Sequence, residues 1–191
     1  AMFNSVGTPG TPPNAMQVVL DASATLDQMG IPASDRYCIM SPKDGAALKG
    51  ALYNTFNEQF NKDIILRGSM GELSGFDFYT AQNVVRPTVT TGGTPLVKGA
   101  GQDGATLLTD GWTSGITIKK GTIFSIAGVN SVNPISLTDN NELAKFVVTA
   151  DTVATGGEAD LPIETMEGGI VLAGSPYQNV TVSPADNAPL T

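Results

Sequence analysis

The apolar positions change their period once along the chain, near residues 86–92. Before that point they recur at three and four. Met16, Val19, Ala22, Leu26 and Met29 share one helical face, and the pattern predicts a helix with Asn14 as N-cap and Gly30 at its left-handed end. Pro32 keeps it from resuming. Arg36-Tyr37-Cys38-Ile39-Met40 is short and apolar after its Arg, and reads as a buried central strand. Ser41-Pro42-Lys43-Asp44 then supplies a hydroxyl N-cap, a proline at the first helical position and an acid near the positive helix end. Leu48, Leu52, Phe56 and Phe60 step by four along the stripe of this second helix. Gly50 inside it costs about 1 kcal/mol against Ala, which points to close packing on a neighbour. Two strands are expected next, Asp63–Arg67 and Gly75–Ala81, separated by Gly68, Gly71 and Ser74.

Beyond Val89 short alternating runs replace the helical period. Strands are predicted at Trp112–Ile118, Thr122–Asn130, Leu143–Ala150 and Tyr177–Ser183, punctuated by Gly, Thr, Asn and Pro. Phe146 and Val148 share one face of their run, with Lys145 and Thr149 on the other. Val180 and Val182 likewise oppose Asn179 and Thr181. Such half-buried strands build a small antiparallel barrel or sandwich. The expected organisation is a lead-in over 1–13, an α/β subdomain over 14–87, a β-domain over 88–186 and a tail over 187–191.

Composition narrows the function more than it names it. The 191 residues are 41% hydrophobic, enough for real cores. Lys+Arg 10 against Asp+Glu 18 gives a net charge of −8, which argues against nucleic acid or an anionic membrane as the main partner. The adjacent basic pair Lys119-Lys120 lies at a predicted turn. There is no His, so the commonest general base and metal ligand are missing. A lone Cys allows no internal disulfide. No apolar run approaches the roughly 18–20 residues of a spanning helix, and a soluble protein is expected.

The candidate chemistry is thin. Gly99-Ala-Gly101-Gln-Asp-Gly104 matches the dinucleotide-binding string, but the segment after Gly104 is short and Thr-rich, and the position where a ribose-binding acid belongs holds Phe124. A flexible Gly-rich loop is the better reading. Cys38 has no His to activate it and sits in an apolar run, as a core thiol would. Glu158, Asp160, Glu164 and Glu167 lack the dense ligand ladder of a calcium loop and read as solvated surface. Asn179-Val180-Thr181 is a glycosylation sequon by string, its Asn expected on an exposed strand face. Trp112 reads as a core residue of the β-domain. Catalytic, cofactor-binding and metal residues: none are expected, and no enzyme is.

Several motifs together resemble a known family. Lys-Lys-Gly-Thr-Ile-Phe-Ser-Ile-Ala-Gly-Val-Asn-Ser-Val-Asn-Pro over 119–134, Leu143–Asp151 and Ser175–Ala188 resemble the inserted β-domain of tailed-phage major coat proteins of the Salmonella phage P-twenty-two type. Val6-Gly-Thr-Pro-Gly-Thr-Pro before the first helix, and Asp35–Met40 entering the second through Ser41-Pro42, are similar to the apical domain of coat proteins with the HK-ninety-seven-like fold. Gly68–Asp77 resembles the turn into the strand before the insertion.

The resemblance implies an α+β fold: an apical-domain fragment with two helices and a few strands, carrying an inserted all-β antiparallel barrel. It implies a structural capsid subunit whose partners are other coat subunits and a scaffolding protein, assembled in the host cytoplasm and resident in the virion, with no membrane and no sequence-specific nucleic acid. A complete member has further parts on both sides, so the chain is expected to be a fragment, an expressed piece or a truncated prophage product, unable to form a shell unaided. Within it, Lys98–Gly111 is expected to be a mobile loop that orders through charge pairs between subunits. The reading from another class is a stand-alone carbohydrate-binding or adhesin-like β-module with Trp112 and Tyr177 as sugar platforms.

Overall fold

The computed structural model describes residues 5–7, 11–53, 70–84, 92–165 and 168–191. The expected strand Asp63–Arg67, the helical positions Phe56 and Phe60, the turn residue Gly68, the period change at Pro87 and the acid Glu167 lie outside the described residues. The chain divides into two compact units, Val6–Arg86 and Pro87–Thr191 together with Ala1–Ser5.

In the first unit, α1 spans Met16–Gln28 and α2 spans Pro42–Tyr53, while β1 (Arg36–Met40), β2 (Glu72–Leu73) and β3 (Phe76–Thr80) form a sheet. The N-cap of α1 is Ala15, extended and without a side-chain cap bond. Asn14 therefore stands one residue too early to cap. The other end agrees with expectation. Gly30 has φ 71°, its N–H donates to Asp27 O at 3.0 Å, and the N–H of Ile31 reaches back to Leu26 O at 3.1 Å, which satisfies carbonyls the helix leaves free. Ser41 caps α2: its Oγ accepts from the Asp44 N–H at 3.2 Å and donates to Asp44 Oδ2 at 2.6 Å.

Two further expectations fail in this unit. Among the described residues β1 is an edge strand with one face exposed, not the buried central strand expected. The sheet order is β1-β3-β2, with β3 central, parallel to β1 and antiparallel to β2. Alternation along β1 leaves Tyr37 and Ile39 exposed on one face and buries Arg36 and Met40 on the other. Arg36 tolerates burial because all three guanidinium nitrogens are bonded, to the carbonyls of Ile31 and Pro32, Ser23 Oγ and Asp27 Oδ1. Gly50, in turn, is exposed, and a Cβ there would meet nothing within 4 Å. Close packing falls at Gly45 instead, where a Cβ would touch the Met40 side chain. Val19, Met40, Leu48, Leu52 and Phe76 form the core of this unit.

The second unit is all β among its described residues. β4 (Gly93–Val97), β5 (Thr106–Trp112), β7 (Ile123–Val132), β8 (Asp139–Val148) and β10 (Ala159–Glu164) make a five-stranded sheet in the order β4-β5-β10-β8-β7, antiparallel throughout. β6 (Thr117–Ile118) and β9 (Thr152–Val153) pair separately. Ala144, Phe146 and Val148 all point inward from β8, as the alternation predicts, and Phe146 stacks on Phe124 with ring centroids 5.7 Å apart.

The boundaries of several strands differ from expectation. Trp112–Ile118 is not one strand: Trp112 ends β5, and a turn at Thr113–Ile116, with Gly115 at φ 84°, separates it from β6. Tyr177–Ser183 is not a strand; Val180 makes one isolated bridge to Ser131 and is buried, while Val182 is exposed. β10 is absent from the predicted strands; it runs through the acidic stretch, and Glu158 and Asp160 are exposed there as expected. It carries Pro162 inside the sheet, at the point where β10 leaves β5 and takes up β8, so no ladder donor is needed there.

Residues 187–191, expected as a tail, bond to both outer strands of the sheet. Toward β4, Asn187 N–H donates to Val97 O, Val97 N–H to Ala188 O and Leu190 N–H to Pro95 O. Toward β7, Ser125 and Thr191 exchange backbone hydrogen bonds of 2.7 and 2.9 Å, and Ala127 N–H donates to Pro189 O. The antiparallel sheet is curled, and this segment spans from one edge to the other.

Candidate functional site

At one end of the second unit, where β5 and β8 finish and β7 begins, lies a cavity of about 270 Å³. Its walls are mainly Trp112, Ile118, Phe124, Val148, Leu161 and Leu190. Glycine shapes the rim. A Cβ on Gly93 (φ 86°) would run into Gly111 O, and one on Gly111 (φ 75°) into Thr94 O, so only glycines allow β4 and β5 to approach at the register shift between Gly93 and Leu96. The indole of Trp112 is half-buried against the core, and its Nε1–H is spent on Thr109 Oγ1 at 2.8 Å. Among the described residues no acid, base or thiol side chain lines the cavity. Chemically it can hold an apolar group and little else.

Beside the cavity stands the turn Lys119–Thr122, whose last residue lines it. Asp151 clamps this turn: Oδ2 meets Lys119 Nζ at 2.7 Å, and Oδ1 accepts the Lys120 N–H at 2.7 Å. The Lys119 hydrogen bond, then the Lys120 N–H, hold the Asp151 carboxyl below its usual range. At the opposite end of β7 is the hairpin loop 133–138 leading into β8.

The residues singled out by sequence fall in separate places. Gly99, Gly101 and Gly104 all have positive φ, but Gly104 leads into strand β5 and not into a helix, so there is no helix N-terminus to receive a pyrophosphate. Nor is Lys98–Gly111 a loop throughout. Thr106–Gly111 belongs to β5, and 98–104 is strapped around Gln102, whose amide donates to Lys98 O, Gly99 O and Leu108 O and accepts the Leu108 N–H at 2.7 Å. Gly99 N–H is held by Asp186 and Lys98 by Glu158 at 2.6 Å. The hydrogen bond that Lys98 donates to Glu158 raises the Lys98 pKa.

Asp160 lies on β10, and Glu164 ends it. Among the described residues no group of three or more His, Cys, Asp or Glu could hold a metal ion. Cys38 is partly buried, and desolvation raises its thiol pKa. Asn179 is not on an exposed strand face. Its Nδ2 donates to Thr165 Oγ1 at 2.5 Å and Gly169 O at 2.7 Å, and its Oδ1 accepts the Val171 N–H at 2.9 Å. An amide so engaged is a clamp between segments and is poorly placed for modification. Tyr177 is exposed in a turn. The sequence reading missed the cavity; the signals were Gly92-Gly93 opposite Gly111-Trp112, and the apolar Leu190 in a stretch read as a tail.

No family model matches the chain, and no curated protein matches it. Among solved structures it is similar to the CUS-3 coat protein I-domain, at 22% sequence identity and a TM-score of 0.37, over 53% of this chain and 96% of that chain. Among the described residues no helix is long and apolar enough to cross a membrane.

Proposed function

We propose that the chain is part of the major coat protein of a tailed phage, a structural and non-catalytic subunit of the virion capsid. The reading is carried by one observation: the strand-to-helix step through Ser41-Pro42 and the turn-and-strand run Lys119–Pro134, each resembling a separate part of that family's coat proteins, occur in one chain. Local structure supports their use as building elements. Ser41 caps α2, Ser74-Gly75 (φ 54° and 78°) turns β2 into β3, and Lys119–Thr122 feeds β7.

On this reading 14–87 is apical-domain structure and 88–186 the inserted domain, its curled sheet a barrel sealed by the segment after it. The partners are other coat subunits and, during assembly in the host cytoplasm, a scaffolding protein. The net charge of −8 fits a shell wall better than a genome-binding surface. The test is quantitative mass spectrometry of purified particles from cells carrying the gene. Peptides from 93–165 should be recovered from the shell fraction at hundreds of copies per particle. Absence from the shell, or only a few copies as for a tail or fibre component, would overturn the reading.

A further inference from the structure

The β7–β8 hairpin ends in a loop built to hold one apolar side chain out in solvent. Asn133 Oδ1 accepts the N–H groups of Ile135 at 2.9 Å and Ser136 at 3.0 Å. The Asn133 N–H donates to Thr138 O at 2.9 Å, Leu137 N–H to Asn133 O at 2.9 Å, and the hydroxyls of Ser136 and Thr138 pair at 2.7 Å. Below the loop, Asn130 Nδ2 donates to Asp139 and Asn140 Nδ2 to Ser131 Oγ. Leu137 is held at φ 55°, a left-handed conformation costly for a side chain of its shape. The result of this strapping is that Ile135 is 83% exposed, more than any other large hydrophobic residue described. A rigid loop gives up little conformational entropy when it docks.

The cavity beside Trp112 is the natural counterpart. About 150 Å³ of apolar space is enough to hold a benzene molecule, so 270 Å³ takes a branched aliphatic side chain with room to spare. Charge matches too. Between Gly121 and Ala144 the chain has Asp139 and Glu142 and no Lys or Arg, whereas the cavity rim carries the Lys119-Lys120 turn, of which Lys119 is already engaged by Asp151. Loop and cavity lie at opposite ends of β7, roughly 25–30 Å apart for ten residues of strand. A loop fixed there cannot fill the cavity of its own molecule.

We propose that Ile135 of one copy seats in the Trp112 cavity of a second copy, so that the β units associate head to tail. The contact is heterologous: each copy offers a loop and a cavity, and neither surface pairs with itself. It stands independently of the coat-protein reading, since it rests on this hairpin, this cavity, the charges beside them and their separation.

The test uses the full chain of 191 residues. Sedimentation velocity across a concentration series should show reversible association, with the fluorescence of the single Trp shifting to the blue over the same range. Ile135→Asp, at an exposed position, should raise the association midpoint at least about tenfold with circular dichroism unchanged. Ile123→Tyr, on the cavity lining, should do the same. Mixed together, the two variants should form a dimer and nothing larger, because one intact loop and one intact cavity remain. A chain monomeric up to about 1 mM would overturn the proposal. So would a mixture that stays monomeric while the unaltered chain associates. Association abolished by Tyr79→Lys but untouched by Ile135→Asp would place the contact on the exposed Tyr37–Tyr79 face and equally defeat it.

Discussion

The indole N–H of Trp112 donates to Thr109 Oγ1 at 2.8 Å, and the same hydroxyl donates to Ala159 O at 2.7 Å. One buried oxygen thus ties the end of β5 to β10 and fixes the ring that walls the cavity. Thr109→Val keeps the shape and removes the hydroxyl, leaving a buried donor and a buried acceptor without their partner. The expected cost is about 1–3 kcal/mol. Urea unfolding followed by Trp112 emission measures it. A loss below about 0.5 kcal/mol would mean that water replaces the hydroxyl.

The register of β8 makes a sharper prediction. Phe146 is fully buried and stacked on Phe124, so Phe146→Ala should cost about 3–5 kcal/mol. Val148→Asp should prevent folding, because it places an unpaired charge in the same core. Lys145→Ala, on the other face, should stay within about 0.5–1 kcal/mol. Equal effects for Phe146 and Lys145 would exchange the faces by one residue.

Asn179 and Thr181 separate a structural amide from a glycosylation string. Asn179→Ala strips partners from the Val171 N–H and from Gly169 O and should destabilise by about 1–3 kcal/mol. Thr181→Ala abolishes the sequon equally well and should cost less than about 1 kcal/mol. Chemical denaturation of both variants decides whether the residue is retained for its bonds.

Acid should act at the Lys119–Thr122 turn in a known direction. The folded Asp151 carboxyl is held below its ordinary value of 3.8 by the Lys119 hydrogen bond and the Lys120 N–H. A depressed carboxylate contributes stability that is fully present above the unfolded value and is lost as pH falls through the folded one. The carboxyl resonance of Asp151 should therefore titrate below pH 3.8, and Asp151→Asn should lower stability at neutral pH but converge with the parent in strong acid. A midpoint at or above 3.8 would show that the clamp is broken in solution.

A chain of residues 87–191 should fold cooperatively by itself, with dispersed amide resonances. The same chain cut after 186 should not, since it loses the backbone hydrogen bonds from 187–191 to both β4 and β7. Indistinguishable melts for the two would make the closing segment dispensable.

Much of the fold is legible in strong local signals. Ser41-Pro42-Lys43-Asp44 marks the start of α2, Gly30 the end of α1, and the alternation through Phe146 and Val148 gives the buried face of β8. The features that escape depend on tertiary context. β4 and β10 contain Pro95 and Pro162, which argue against strands until one sees that each stands where the ladder changes or shifts. Arg36 looks like the polar edge of an apolar run, and only the nearby carbonyls of Ile31 and Pro32 explain its burial. Gln102 and Asn179 are ordinary polar residues in sequence, and their clamping roles come from how nearby turns bring backbone groups around them. The cavity is invisible in the sequence because its walls come from segments scattered between Gly92 and Thr191.

The pairing of Pro95 with Leu190 and of Leu96 with Pro189 carries a consequence for how such a unit is inherited. Its first strand and its last segment run side by side, so the two ends of the unit lie close together. A module of this shape can be spliced into a surface turn of a host domain as a cassette, without prying the host's own strands apart.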